Sequence, residues 1–382
     1  MIIDITRLVD RTLQGRLPTG VDRVGMAYIE RYGAQSDALV RFGWRWVFIY
    51  GHDAQALFSA LLKPEASFKS LARWLVGKAY CLSWRIPAKD TVLLNTGHSG
   101  LDQPEYAKQI KKYQLRAVYF LHDLIPITYP EYCRAGESLR HTKRLETMLD
   151  CGAAIIVNSQ DTARECLNFA VQTQRTCPPL AVGLLGGAAL TPPSPNPPIN
   201  AAYFVMLGTI EPRKNHLLIL QLWRELAREF GAKAPKLVII GQRGWECEQV
   251  VDMLERCPSI QASVIELPHC SDAELATWLH HARALLFPAF VEGYGLPLIE
   301  ALNQGCPVIA SDLAVFRELA FDIPDYLNPL DGAAWRHAII QYATEQSPHR
   351  AAQLERMACF AAPTWAQHFD VVDPLLKSLT HG

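Results

Sequence analysis

The chain is nearly without net charge: 37 Lys and Arg face 38 Asp and Glu, a formal −1 over 382 residues. Nothing in that balance supplies the positive field that nucleic-acid binding requires, so no nucleic-acid partner is expected. The ten cysteines include no C-x-x-C pair and no even ladder of spacings. Cys151, Cys166, Cys247 and Cys306 lie in apolar or helix-like stretches, as free buried thiols do, and a reduced, cytoplasmic compartment is expected. The opening MIIDITRLVDRTLQGR has no charged segment ahead of an apolar one, so it is not read as a signal peptide. No apolar run approaches the ~20 residues that span a bilayer, so membrane contact is expected to be peripheral.

What is present reads as an ordinary globular chain, 49% hydrophobic and 20% charged, long enough for two domains. Short β-type runs alternate with longer helical patterns. Strands are expected at Met1–Ile5, Val47–Tyr50, Thr91–Asn95, Ala117–Leu121, Ala153–Val157, Tyr203–Leu207, Lys236–Ile240, Ala262–Leu267, Ala284–Phe287 and Pro307–Ala310. Several are wholly apolar, as strands covered on both faces are, and the alternation predicts an α/β fold of parallel sheets. Five prolines in Thr191–Pro198 exclude helix and central strand and mark an interdomain linker. The first domain is therefore drawn over residues 1–190 and the second over 200–362, with a C-terminal helix over 365–382.

The densest signal lies at Phe287-Pro-Ala-Phe-Val-Glu-Gly-Tyr-Gly-Leu-Pro-Leu-Ile-Glu-Ala-Leu302. A strand runs into Glu292, a Gly-Tyr-Gly turn and a helix with Pro297 in its first turn. Such a turn offers backbone N–H groups to an anion. Carboxylates beside an anion site fit a ligand that carries both a diphosphate and sugar hydroxyls, which is a nucleotide-sugar. Upstream, Gly208-Thr-Ile-Glu-Pro-Arg-Lys-Asn-His216 places Arg213 and Lys214 after a strand and before a helix. Two cations there oppose the helix dipole but suit a diphosphate.

These segments, with Gly305-Cys-Pro-Val-Ile-Ala-Ser311, resemble family 4 of the retaining glycosyltransferases over essentially the whole second half. Weaker likenesses in the first half are Thr19–Val24, His122–Pro126 and Val157–Glu165. The resemblance implies the GT-B fold: two Rossmann-like parallel-sheet domains facing a cleft, the C-terminal helix packing back on the first. It implies that Arg213 and Lys214 bind the donor diphosphate, that Glu300 accepts hydrogen bonds from the ribose, and that Glu292 holds hydroxyls of the transferred sugar. Gly293, Tyr294, Gly295 and Leu296 would offer backbone N–H groups, and Leu267 and Pro268 would lie near the base. Arg243 is either a phosphate contact or a solvated loop charge. In the first domain, Gly20 would let the backbone approach the phosphates, and His122 would hold the donor hexose. Asp123 orients His122 or approaches the acceptor, and Asn158 and Ser159 read as a helix cap.

The family likeness further implies retention at the anomeric carbon, with front-face attack and no carboxylate nucleophile. No D-x-D motif follows a strand and the histidines show no ligand spacing, so no metal and no cofactor is expected. The run His122–Glu131 resembles bacterial mannosyltransferases of surface-polysaccharide assembly. GDP-mannose is the first donor expected, a UDP-hexose the second, and the acceptor a growing or lipid-linked glycan. A sugar-nucleotide epimerase or hydrolase and a non-catalytic glycan-binding subunit are the rival classes. Finally, Phe68–Arg85 carries four cations and no anion among Phe68, Trp74, Tyr80 and Trp84. It is either an interfacial helix for a membrane or lipid-linked acceptor, or a helix with its aromatics in the core.

Overall fold

A computed structural model describes residues 1–16, 18–42, 45–82, 85–187 and 192–380. The chain forms two compact units. The first comprises Met1–Thr128, Ala135–Gly186 and Thr364–Gly382; the second comprises Tyr129–Arg134 and Gly187–Pro363. Of the proline-rich stretch, Thr191 lies outside the described residues, as does Trp84 of the aromatic–basic segment.

The first unit holds a seven-stranded sheet. Its strands are β1 (Ile2–Asp4), β2 (Asp37–Phe42), β3 (Arg45–Ile49), β4 (Val92–Asn95), β5 (Arg116–Leu121), β6 (Gly152–Val157) and β7 (Leu180–Val182), in the order β3-β2-β1-β4-β5-β6-β7. All neighbours pair in parallel except β2 and β3. Only two residues separate those two strands, too few for a crossover, so they form an antiparallel hairpin that corrects the expected all-parallel order. β2 itself was not expected. Its run DALVRF breaks the apolar pattern with Arg41, which is buried because its Nε donates to Asp4 Oδ2 at 2.8 Å. The core lies between sheet and helices, built on Leu93, Tyr119, Leu121, Leu145 and Ile155.

The second unit holds β8 (Tyr203–Leu207), β9 (Lys236–Ile240), β10 (Val264–Leu267), β11 (Leu285–Phe287), β12 (Val308–Ser311) and β13 (Asp325–Leu327). The sheet is wholly parallel, in the order β10-β9-β8-β11-β12-β13. That is the doubly wound, Rossmann-like order, with its switch point between β8 and β11. Trp223, Trp335, Phe204 and Leu286 anchor its core.

The helix Trp365–Thr380 belongs to the first unit. His368, Phe369, Val372 and Leu376 form its buried face. His368 Nε2 meets Tyr28 Oη at 2.9 Å, and Tyr32 Oη donates to Asp373 Oδ1 at 2.6 Å, while Arg31 pairs with the same carboxylate. Gly186 is needed there, since a Cβ would stand 2.6 Å from Trp365. All ten cysteines are free thiols; Cys166 and Cys306 are buried and Cys151 and Cys247 half-buried. Among the described residues no helix is long and apolar enough to cross a membrane.

Candidate active site

The second unit's site grows from aligned strand ends. Leu207 of β8 pairs with Ile240 of β9, which pairs with Leu267 of β10, so the three strands finish level. Gly208 follows with φ +131, a conformation that side chains resist. Gly241 N–H donates to Leu267 O at 3.0 Å, and a Cβ on Gly241 would lie 2.0 Å from Gly208 O. Glycine at 241 is therefore what lets the two loops run side by side, tied by Ile210 N–H to Gln242 O and Gly244 N–H to Ile210 O, each 2.9 Å.

A short turn, Pro212–Lys214, then leads through Asn215 (φ +57) into the helix His216–Phe230. Arg213 lies between two carboxylates, 2.6 Å from Glu211 and 2.8 Å from Glu292. Lys214 Nζ donates to the other oxygen of Glu292 and stands 4.9 Å over the Phe287 ring. The backbone closes the same contact: Phe290 N–H donates to Arg213 O at 2.8 Å, and Arg213 Nη1 donates to Val291 O at 3.2 Å. Two cations from the β8 side and a carboxylate from the β11 side thus meet across the switch point of the sheet, where open α/β sheets bind their ligands.

These charges are largely out of water; the side chains of Lys214 and Glu292 are 9% and 7% exposed. Burial alone would raise the Glu292 pKa, but Arg213 and Lys214 outweigh it and hold the carboxyl below its usual range. Burial pulls the Lys214 ammonium down, against the opposing pull of Glu292. Burial raises Glu211, and Arg213 and Lys214 offset only part of that. His216, buried beside Lys214, is pushed down to about 3 by burial first and by that cation second, so it is neutral near pH 7.

The Gly293–Leu296 turn follows. Gly295 has φ +120, and a Cβ there would stand 2.7 Å from Phe316. The helix Leu296–Asn303 starts at this glycine without a side-chain cap, the state in which a helix N-terminus favours an anion. Glu300 lies in that helix and is buried, 4% exposed; Tyr294 is buried and Pro268 exposed. Arg243 follows β9 and engages Glu266 through Nε and Nη2 at 2.8 and 2.9 Å, and also pairs with Glu255. These hydrogen bonds raise its pKa above the ordinary arginine value.

The first unit has its own switch point, between β1 and β4. A cavity of about 440 Å³ opens there, lined by Arg7, Asp10 and Arg11 after β1, Gly97–Gly100 after β4, His122 and Asp123 after β5, and His141 and Arg144. His122 joins two histidines that sequence reasoning did not connect with it. Ring centroids are 5.0 Å apart for His98–His122 and 5.6 Å for His98–His141. No local spacing could reveal this cluster, because the pairing of β4 with β5 brings His98 to His122 and the packing of the helix Glu137–Cys151 adds His141. Each has Nε2 at a backbone carbonyl: His98 at Phe120 O (2.6 Å), His122 at Thr96 O (2.7 Å) and His141 at Asp123 O (2.9 Å). Carbonyls accept only, so each Nε2 carries the proton. Burial lowers all three pKa values, that of His122 to about 4. Among the described residues no group of three or more metal-ligating side chains is placed to hold an ion.

Gly20 opens the helix Gly20–Tyr32 and is exposed. Its loop is fixed by buried Asp22, which accepts from Thr19 N–H and Oγ1 at 2.7 Å and pairs with Arg7 and Arg11 at 2.8 Å. Ser159 caps the helix Gln160–Gln172 by accepting from Thr162 N–H at 3.0 Å, and Asn158 Nδ2 donates to His122 O at 2.8 Å.

Residues 191–322 match the family model described as glycosyl transferases group 1. The serotype-specific mannosyltransferase WbdA of Escherichia coli is 31% identical over 252 residues, 61% of this chain and 31% of that protein. The chain thus spans about a third of the length of that curated relative. The O-antigen chain mannosyltransferase B of Escherichia coli is 28% identical over 242 residues, 61% of this chain and 62% of the relative. In fold, the chain is similar to Anabaena Alr3699/HepE, solved in complex with UDP. The TM-score is 0.65 at 13% identity, over 99% of this chain and 98% of that one. The two Rossmann-like units have the GT-B fold class, and residues 191–322 are a glycosyl transferases group 1 domain.

Proposed function

We propose that the chain is a retaining, metal-independent hexosyltransferase that moves mannose from GDP-mannose to a hydroxyl of a growing bacterial polysaccharide or lipid-linked glycan. The observation that carries this reading is the meeting of Arg213, Lys214 and Glu292 at the switch point of the second sheet. Two fixed cations suit a diphosphate whose charge grows as the glycosidic bond breaks. Glu292 favours the charged form of Lys214 and holds both cations in place in a site with little water, so they need not reorganise during reaction. With the cations supplying that charge, a divalent ion has no necessary role. Glu292 and buried Glu300 are the acceptors for sugar and ribose hydroxyls. His122, for which the family resemblance implies a hold on the hexose, is neutral near pH 7.

The mannosyltransferase relatives support mannose as the sugar. The test is release of nucleoside diphosphate from GDP-mannose and from UDP-hexoses with EDTA present, with and without a mannan-type acceptor. The account expects acceptor-dependent turnover of GDP-mannose and an axial anomeric linkage by proton NMR. Turnover only on added metal, or equal turnover without acceptor, contradicts it; the latter would indicate a hydrolase or epimerase.

A further inference from the structure

The helix Phe68–Cys81 divides its aromatics between two faces. Phe68, Ala72, Leu75 and Val76 are buried in the first unit. The rest of the helix surface leaves Trp74 60% exposed and Tyr80 45% exposed. Beyond the helix, Leu82, Ile86 and Phe42, the last residue of β2, are exposed as well. The pieces are joined: Arg45, the first residue of β3, pairs with the Tyr80 hydroxyl and lies 5.4 Å over its ring. Lys78 stands 5.2 Å over the Trp74 ring.

Every charged residue in the segment from Phe68 to Ile86 is a cation, namely Lys69, Arg73, Lys78 and Arg85, and Lys69, Arg73 and Arg85 are exposed, Arg85 with its guanidinium 4.8 Å over the Tyr50 ring. Asp53 partners Lys78 at 2.7 Å, and Glu65 precedes the helix. The balance stays positive around an apolar centre. Large exposed aromatics ringed by like charges are a poor fit to solvent and a good fit to an interface whose surface is anionic and whose interior is apolar.

We infer that this face, centred on Trp74, Tyr80 and Ile86 and edged by Lys69, Arg73 and Arg85, seats the first unit on an anionic phospholipid surface. The aromatic and aliphatic side chains enter the headgroup boundary while the cations meet lipid phosphates. The inference does not depend on the donor or on the transfer reaction.

Vesicles without any glycan lipid test it. The full chain is sedimented with phosphatidylcholine vesicles and with phosphatidylcholine doped with phosphatidylglycerol, at low and high salt. Binding is expected to the doped vesicles only and to weaken with salt. Lys69→Glu with Arg73→Glu, and separately Trp74→Ser with Ile86→Ser, are each expected to reduce it by about tenfold or more. Both variants should keep the wild-type circular dichroism and nucleotide-sugar affinity, which separates loss of the surface from loss of the fold or of the active site. Equal binding to neutral vesicles, binding unchanged in the charge-reversed variant, or concentration-dependent dimerisation abolished by the same substitutions would each overturn it.

Discussion

At the residue scale the site is a set of charges that depend on one another. Removing one partner of a buried pair leaves the other uncompensated, a change that costs about 3–5 kcal/mol in buried pairs generally. Glu292→Leu should therefore lower the unfolding free energy by roughly 2–4 kcal/mol, because buried Lys214 loses its partner. Lys214→Met with Glu292→Leu should recover part of that loss, and denaturant titration of the single and double variants checks the coupling. The histidine cluster predicts a pH response. Folded pKa values below the ordinary 6.5 mean that the unfolded chain binds protons that the folded chain refuses. The stabilisation is full above pH ~6.5 and is lost as pH falls toward the folded value of about 4 for His122. His122 alone accounts for roughly 3 kcal/mol across that window. Urea midpoints should fall between pH 7 and pH 4.5, and less steeply in His122→Asn; a flat profile would contradict the burial of a neutral imidazole.

At the element scale, much of the second unit was legible. β8, β9, β11 and β12 fall where unbroken apolar runs end in Gly, Pro or a polar turn. β13 was not foreseen, for Asp325–Leu327 is three residues long and half-buried, too short for a pattern. The hairpin of β2 and β3 was half seen, since the ion pair that allows Arg41 inside a sheet comes from β1, far away in sequence. The helices Thr6–Leu13 and Gly51–Leu62 were also passed over. Arg213, Lys214, Glu292 and Glu300 were picked out by motif, but the ion pairs of Arg213 and Lys214 with Glu292 were not, because these depend on which strands are neighbours. The turn before Leu296 yields a test: Gly295→Ala must accept φ +120 and approach Phe316 at 2.7 Å. It should cost about 2 kcal/mol or more and weaken nucleotide-sugar binding, whereas Gly231→Ala, with open space around it, should leave binding unchanged.

At the scale of the whole molecule, the chain leaves the first unit at Gly186 and returns to it at Thr364. The closing helix Trp365–Thr380 is therefore part of the first unit's core. Ending the chain before Thr364 would uncover Tyr28, Tyr32 and the apolar surface that Phe369, Val372 and Leu376 bury. Such a truncation should lower the first unit's melting temperature and its resistance to protease. The crossing at Gly186–Gly187 precedes the mid-chain prolines, and the assignment of Tyr129–Arg134 to the second unit has no signature in the sequence. Both sheets place their chemistry alike, at the strand ends beside a switch point. That repetition puts a cluster of titratable groups at the corresponding point of each unit.

The central claim is that Arg213 and Lys214, held by Glu292, bind the diphosphate of a nucleotide-sugar without a metal. Calorimetric titration of the full chain with GDP-mannose, GDP and UDP-glucose in EDTA tests it most directly. The account predicts saturable binding of one nucleotide series to the wild type, weakened by about tenfold or more in Arg213→Ala and in Glu300→Ala. Binding that appears only on adding a divalent cation, or that survives loss of Arg213 unchanged, would contradict it.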